Sequence, residues 1–282
     1  MYARPTDFTE ALRLLAEPDA RVLAGGTDIF PAAGERPLSG RHVDVTALAA
    51  LRGIAVDGDW LRIGAAVTWS DLAKAKLSPA FNALRAAARE IGGVQIQNRG
   101  TIAGNLCNAS PAADGVPPLL ILDAEVELVS TRGQRRVPLT EFITGNRGTI
   151  LCPGEIMTAV FTRQPAPTAR SSFVKLGARR YLVISIVMVA VLLDVVDGLV
   201  RNASVAAGAC SAAAKRLPEV ERRLVGAPAG AGLGDLIRGE HLAALSPIDD
   251  LRASAQYRRD AALTLIRRGI GYCLNGEAGG VV

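Results

Sequence analysis

The chain is 282 residues long, 49% hydrophobic and only 4% aromatic, with a formal net charge of +5. That length can bury a sizeable core and points to two domains; with so few aromatic rings, a flat ligand must be held mainly by aliphatic side chains and backbone. Arginine is scattered rather than clustered, and no RRM, zinc-finger or helix-turn-helix pattern is present, so the charge favours an anionic ligand over a dedicated nucleic-acid reader.

Cys107, Cys152, Cys210 and Cys273 are too far apart to form a CxxC pair, and the two histidines, His42 and His241, lie near none of them. The spacing therefore favours free thiols in a reducing compartment over a structural zinc site. The opening MYARPTDFTEALRLL lacks the charged and apolar regions of a signal peptide, and the longest apolar run, Leu182–Leu193, is too short to span a bilayer. The expectation is a cytoplasmic protein without a membrane span.

In chain order, Phe8, Ala11, Leu12 and Leu15 have helical spacing, and Pro18 stops that helix. Arg21–Leu23 reads as a short strand running into Ala24-Gly25-Gly26-Thr27-Asp28-Ile29, a turn whose successive N–H groups suit phosphate oxygens or simply a structural bend. His42–Val45 reads as a strand in which His42 caps or packs. Ile54–Val56 and Trp60–Ile63 flank the hairpin signal Asp57-Gly58-Asp59. Thr68–Ala75 is a helix with Thr68 as N-cap and Asp71 at N3, and Ser78-Pro79 opens the next, ended by Gly92-Gly93. Gln95–Ser130 follows as a polar, glycine-bearing ligand loop that passes into an apolar segment and the alternating strand Glu125–Ser130.

Arg132-Gly133 turns that strand towards Arg136–Leu139. Ile156–Phe161 and Ser172–Leu176 read as further strands, with a domain boundary near Gly177. Tyr181–Asp194 is a nearly continuous β-branched run, as in a doubly covered strand, and Asp197-Gly198 turns it into Val200–Ala207. Lys215–Leu224 has helical spacing. Ser246-Pro247-Ile248-Asp249-Asp250 reads as a capping start for a helix reaching Arg267-Arg268, and Gly276–Val282 as a frayed tail. Strands in hairpins mixed with helices fit neither a doubly wound sheet nor a barrel of βα units.

Ala24-Gly25-Gly26-Thr27-Asp28 and, about 75 residues later, Thr101-Ile102-Ala103-Gly104-Asn105 through Ser110-Pro111 to Asp114 are more specific together than apart. The pair resembles the FAD-binding medium subunit of molybdenum hydroxylases, the family of xanthine dehydrogenase and carbon monoxide dehydrogenase flavin subunits. The resemblance runs over nearly the whole chain, through Cys152-Pro153-Gly154-Glu155, Phe173–Gly177 and the closing helix. It implies an α+β chain: a PCMH-type FAD-binding domain over residues 1–177, with two α/β subdomains (about 1–56 and 57–177), and a smaller C-terminal α+β domain over 178–282.

By position, the resemblance implies that Val22, Leu23, Ala24, Gly25, Gly26, Thr27, Asp28 and Ile29 wrap the pyrophosphate. Thr101, Ile102, Ala103, Gly104 and Asn105 would hold it from the other side, with Ser110 in register, and Asp114 would accept from ribityl or ribose hydroxyls. Ile91 and Met157 fall at apolar cofactor contacts and Lys175 at a cofactor-contacting lysine, while Tyr181 either faces the flavin ring or marks a domain boundary. Ala103 stands where the common motif has a second glycine, and the acidic residues of the animal xanthine dehydrogenase pattern are missing around Arg179–Leu182, which argues against NAD as acceptor.

The implied function is an electron-transfer flavoprotein subunit with FAD. A large partner would carry the molybdenum cofactor and a small partner the [2Fe-2S] clusters, in a heterotrimer or a dimer of heterotrimers. No residue of this chain is assigned as catalytic or as a metal ligand. The alternatives are a stand-alone FAD oxidoreductase of the same fold class and a non-catalytic binding module with degenerate loops.

Overall fold

The computed structural model describes residues 1–180 and 182–282. β1 (Tyr2–Ala3), α1 (Phe8–Leu15), β2 (Ala20–Leu23), α2 (Ile29–Ala33) and β3 (Arg41–Asp44) form the first unit, in which both outer strands run parallel to β3 in the order β1-β3-β2. Asp7 caps α1 by accepting from the Glu10 N–H at 2.8 Å, and Ala11, Leu14 and Leu15 bury its inner face. His42 packs inside as a buried residue.

β4 (Ile54–Asp57) and β5 (Trp60–Gly64) then form the expected antiparallel hairpin. α3 (Trp69–Lys74) has the reciprocal Thr68–Asp71 capping box, and α4 (Asn82–Glu90) follows a single 3₁₀ turn opened by Pro79. The stretch expected to be a loop is mostly helical: α5 (Val94–Arg99), α6 (Ile102–Asn108) and α7 (Val116–Leu120). The Thr101 hydroxyl accepts from the Gly104 N–H at 3.0 Å, and fully buried Ile102 and Leu106 anchor α6. Capping and burial outweigh the low helix propensity of the glycine.

β6 (Glu125–Ser130) and β7 (Gly133–Pro138) pair antiparallel, α8 (Leu139–Phe142) follows, and β8 (Ile143–Gly145) with β9 (Gly148–Thr149) makes a small hairpin. β10 (Ile156–Arg163) completes the second sheet, ordered β4-β5-β10-β6-β7. Its buried residues and those of the helices share one core with α1 and β3, so the two N-terminal layers pack together. β4 spans residue 56, so a division there would fall within the β4–β5 hairpin.

β11 (Ala169–Leu176), β12 (Val187–Val196), β13 (Leu199–Gly208), β14 (Lys215–Arg216), α9 (Pro218–Leu224), α10 (Ala255–Asn275) and β15 (Gly279–Val281) form the last unit. The sheet order is β14-β13-β12-β11-β15, with α10 packed on its β11 and β12 strands. β11 pairs with β12 from Ala169↔Asp194 to Leu176↔Val187, so a division at Gly177 would separate β11 from its own sheet. Asp197 and Gly198, both at positive φ, make the two-residue turn into β13.

Four local expectations for this unit are corrected. The apolar run becomes strand only from Val187, because Ser185 turns inward to hydrogen-bond Asp114 and Leu182 has a left-handed φ of 50°. Lys215 and Arg216 form a strand rather than the start of a helix, and Pro218 opens α9 instead. α10 begins after Ser254, whose hydroxyl accepts from the Tyr257 N–H; it has neither an acidic first turn nor a basic last turn and continues through Gly269. A Cβ at Gly269 would lie 2.9 Å from Val191 Cγ2, so the glycine permits close helix-to-sheet packing rather than ending the helix. Finally, the tail is not frayed: β15 adds to the sheet edge parallel to β11, from Phe173↔Gly279 to Lys175↔Val281.

Candidate functional site

One cleft of about 1040 Å³ lies between the β2–α2 turn, α6, the Cys152–Met157 segment and the Leu182–Ile184 segment. Its size is at the upper end of the usual range for small-molecule sites, about 300–1,000 Å³. Val22, Leu23, Ala24, Gly25, Gly26, Thr27, Asp28, Ile29, Ile91, Thr101, Ala103, Gly104, Asn105, Ser110, Asp114 and Met157 all line it. Ile102 does not; its side chain is fully buried in the core behind α6. Lys175 stands behind Asp114, and Tyr181 lies outside the described residues.

The β2–α2 turn is pressed against the end of α5. A Cβ on Gly25 would lie 2.0 Å from the Arg99 carbonyl oxygen, so only glycine lets the two backbones meet there. None of the N–H groups from Ala24 to Ile29 donates to an acceptor among the described residues. A run of unpaired amides beside a cleft is costly unless water or a ligand accepts from them, and its natural ligand is an anion.

The opposite wall differs. Ile102 N–H donates to Val67 O, Ala103 N–H to Ala65 O, Gly104 N–H to Thr101 Oγ1 and Asn105 N–H to Thr101 O, all at 3.0–3.3 Å. Its amides are already used in fixing α6 to the β5–α3 connection. What this wall offers is side-chain chemistry and, at Gly104, backbone without a side chain in the way. Asn105 Oδ1 is buried without a hydrogen-bond partner among the described residues, an acceptor in want of a donor.

At the inner end, Asp114 Oδ2 accepts from Lys175 Nζ at 2.6 Å and Oδ1 from Ser185 Oγ at 2.5 Å, while Lys175 also donates to the Glu90 carbonyl at 3.3 Å. Burial pushes the Asp114 carboxyl up from its ordinary value, against the pull of the Lys175 charge and the two hydrogen bonds. Each carboxylate oxygen keeps a second lone pair, so acceptance from a ligand hydroxyl is compatible with this pairing.

Arg21 and Arg147 were not assigned to the site by sequence, whereas Asn108 was legible as a hydrogen-bonding side chain of the ligand loop. All three line the rim, with Asn108 Nδ2 donating to Asp28 Oδ1 at 2.8 Å and Arg147 donating to Asn108 Oδ1. Cys152–Glu155 line it too; that tetrapeptide was visible as part of the resemblance, but nothing in its spacing assigned it to the site. Arg147 carried no such signal, because its hairpin reaches the cleft only through the docking of its N–H on Ala109 O at 2.9 Å.

A family model described as the FAD binding domain in molybdopterin dehydrogenase matches residues 1–162. The chain belongs to that family. A second model, the CO dehydrogenase flavoprotein C-terminal domain, matches residues 172–272 of this flavin subunit. The subunit is 35% identical over 273 residues to the putative xanthine dehydrogenase FAD-binding subunit of Escherichia coli K12, covering 95% of this chain and 93% of the relative. It is also 35% identical over 237 residues to the nicotinate dehydrogenase FAD-subunit of Eubacterium barkeri, covering 80% of each chain.

Among solved structures, a chain of the reconstituted CO dehydrogenase from Oligotropha carboxidovorans superposes on the flavin subunit with a TM-score of 0.90 at 27% identity, covering 97% of both. A chain of quinoline 2-oxidoreductase from Pseudomonas putida 86 does so with a TM-score of 0.88 at 26% identity, covering 98% of this chain and 96% of that one. The expected fold and family are thus shown. The cleft also fits the flavin subunit's cofactor on its own terms, through unpaired amides on one wall, an orphan acceptor on the other and room for a dinucleotide.

Proposed function

We propose that this chain is the electron-transfer subunit of a molybdenum hydroxylase, holding FAD in the cleft between the β2–α2 turn and α6. The observation that carries the placement is the run of unpaired amides from Ala24 to Ile29 facing the glycine-bearing wall of α6. These amides would donate to the diphosphate, Thr101 and Asn105 would orient the dinucleotide, and Asp114 would accept from a hydroxyl on its free lone pairs. Ile91 and Met157 would supply apolar contact, and Ile102 would act by fixing α6. Bound FAD supplies two-electron and one-electron redox chemistry at one site; the chain's own residues bind it, orient it and limit its contact with water.

The partners follow from the relatives, whose names call them FAD-binding subunits or medium chains of dehydrogenases. A large subunit with the molybdenum cofactor would hydroxylate the substrate, and a small [2Fe-2S] subunit would deliver electrons to this chain for an external acceptor. A heterotrimer or a dimer of heterotrimers is the corresponding assembly. No helix among the described residues is long and apolar enough to cross a membrane, and the free cysteines accord with a cytoplasmic setting. We place the division between the units in the 164–168 connection, because β10 and β11 belong to different sheets.

The test is to purify the full chain alone and within its native complex. The chain alone should show flavin absorption, release FAD on denaturation and fail to hydroxylate any substrate, while the complex should also contain molybdenum and iron. Substrate oxidation by the chain without partners would favour the stand-alone oxidoreductase instead.

A further inference from the structure

A diphosphate brings two negative charges into the cleft, and the lysine that the resemblance set beside the cofactor cannot answer them, since Lys175 is already neutralised by Asp114 at 2.6 Å. Among the described residues lining the cleft, the charged side chains are Arg21, Asp28, Asp114, Arg147 and Glu155. Glu155 is held by both Arg135 Nε and Nη2 at 2.8 Å, and Asp114 by Lys175. Arg21 and Arg147 have no carboxylate partner among the described residues. The cleft therefore holds two guanidinium groups without a carboxylate partner against one carboxylate, Asp28, whose Oδ1 accepts, among the described residues, only from the neutral Asn108 amide. The result is a net positive charge that suits a diphosphate.

Arg147 is also held in a particular way. It sits at the tip of the β8–β9 hairpin with a left-handed φ of 58°, a costly conformation for a side-chain-bearing residue, and its N–H is docked on Ala109 O at 2.9 Å. Its guanidinium donates to Asn108 Oδ1, and Asn108 Nδ2 donates in turn to Asp28 Oδ1 at 2.8 Å. A direct Arg147–Asp28 ion pair would cancel the charge. The neutral amide between them fixes the guanidinium over the cleft and leaves its charge and remaining donors available.

We infer that Arg147, with Arg21, supplies the positive charge facing the dinucleotide's diphosphate, and that Asn108 is the positioning residue for the Arg147 guanidinium. The inference rests on the reading of this cleft as the FAD site. Because Arg147 is solvent-exposed, the interaction must be sensitive to salt.

The test titrates the deflavinated full chain with FAD and with riboflavin, which lacks the diphosphate, at low and high salt, following flavin fluorescence. Arg147→Ala should weaken FAD binding about tenfold and flatten its salt dependence while changing riboflavin affinity by less than about twofold. Arg147→Lys should keep the salt dependence with weaker binding, since it retains charge but not the planar fork. Unchanged FAD affinity and salt slope in Arg147→Ala would overturn the inference, as would an equal loss for both flavins, which would mark a structural role. If the unsubstituted chain bound neither flavin, the cofactor assignment itself would fail, an outcome distinct from the other two.

Discussion

Lys175 Nζ lies 2.6 Å from Asp114 Oδ2, with both side chains buried, and this pair joins the segment after α6 to strand β11 of the C-terminal sheet. Ser185 reaches the same carboxylate from the segment before β12. One carboxylate thus ties the inner end of the cleft to both the strand and the connection that follow it. Removing one partner leaves the other charge buried and unpaired, so Lys175→Met should destabilise the protein by about 3–5 kcal/mol. The double variant Lys175→Met/Asp114→Asn should recover part of that loss. Urea unfolding of the four proteins of this cycle measures the coupling, and strictly additive losses would contradict it.

The two glycine-bearing walls should respond differently to substitution. A Cβ at Gly104 would meet only the Thr101 hydroxyl, at 2.9 Å, whereas one at Gly25 would strike the Arg99 carbonyl at 2.0 Å. Gly104→Val should therefore remain folded yet purify with little FAD, while Gly25→Ala should lower thermal stability as well as occupancy. Flavin absorbance per chain, read beside the melting temperature, separates the two effects. Full occupancy in Gly104→Val would remove α6 from the cofactor contact.

Asp250 accepts from the Arg252 and Ala253 N–H groups and from Arg258 Nη2, whose guanidinium also donates to Ile186 O and Ala209 O. Burial pushes the Asp250 carboxyl up, but these donors outweigh it and hold the group down at about 2. A carboxylate whose folded value is depressed adds stability above its unfolded value, and that contribution is lost as the pH falls from about 4 towards 2. The Asp250 side chain is 26% exposed, so solvent screening should hold the contribution to about 1 kcal/mol. Asp250→Asn should show a shallower loss of stability across that window in acid titrations monitored by unfolding.

The four thiols should react in a fixed order. Cys152 is exposed, while burial pushes Cys107 and Cys273 up to about 12 and Cys210 up to about 11. A thiol-specific reagent at neutral pH should label exposed Cys152 first, the half-buried, cleft-lining Cys107 more slowly, and buried Cys210 and Cys273 only on unfolding, as mass spectrometry would resolve. Rapid labelling of Cys273 in the native chain would contradict its packing between α10 and β12.

Short-range chemistry was legible in the chain itself. The Thr68–Asp71 cap, the Asp57-Gly58-Asp59 and Asp197-Gly198 turns and the alternation of Glu125–Ser130 each depend on residues a few positions apart, and each forms as its sequence implies. The two cleft-lining motifs were legible as a pair, because glycine and short hydroxyl residues state their steric role locally. What sequence could not show depended on distant partners. Gly269 reads as a helix stop until Val191 is seen packed against it, and the tail reads as frayed until β11 offers it a sheet edge. Lys175 reads as a free cation until Asp114 neutralises it, and Arg147 carries no signal until its hairpin docks beside Asn108. The sequence by itself determined the family, the elements set by neighbouring residues and the two motifs of the cleft. Tertiary structure decided which amides remain unpaired and which charges remain uncompensated, since both depend on groups brought together across the chain.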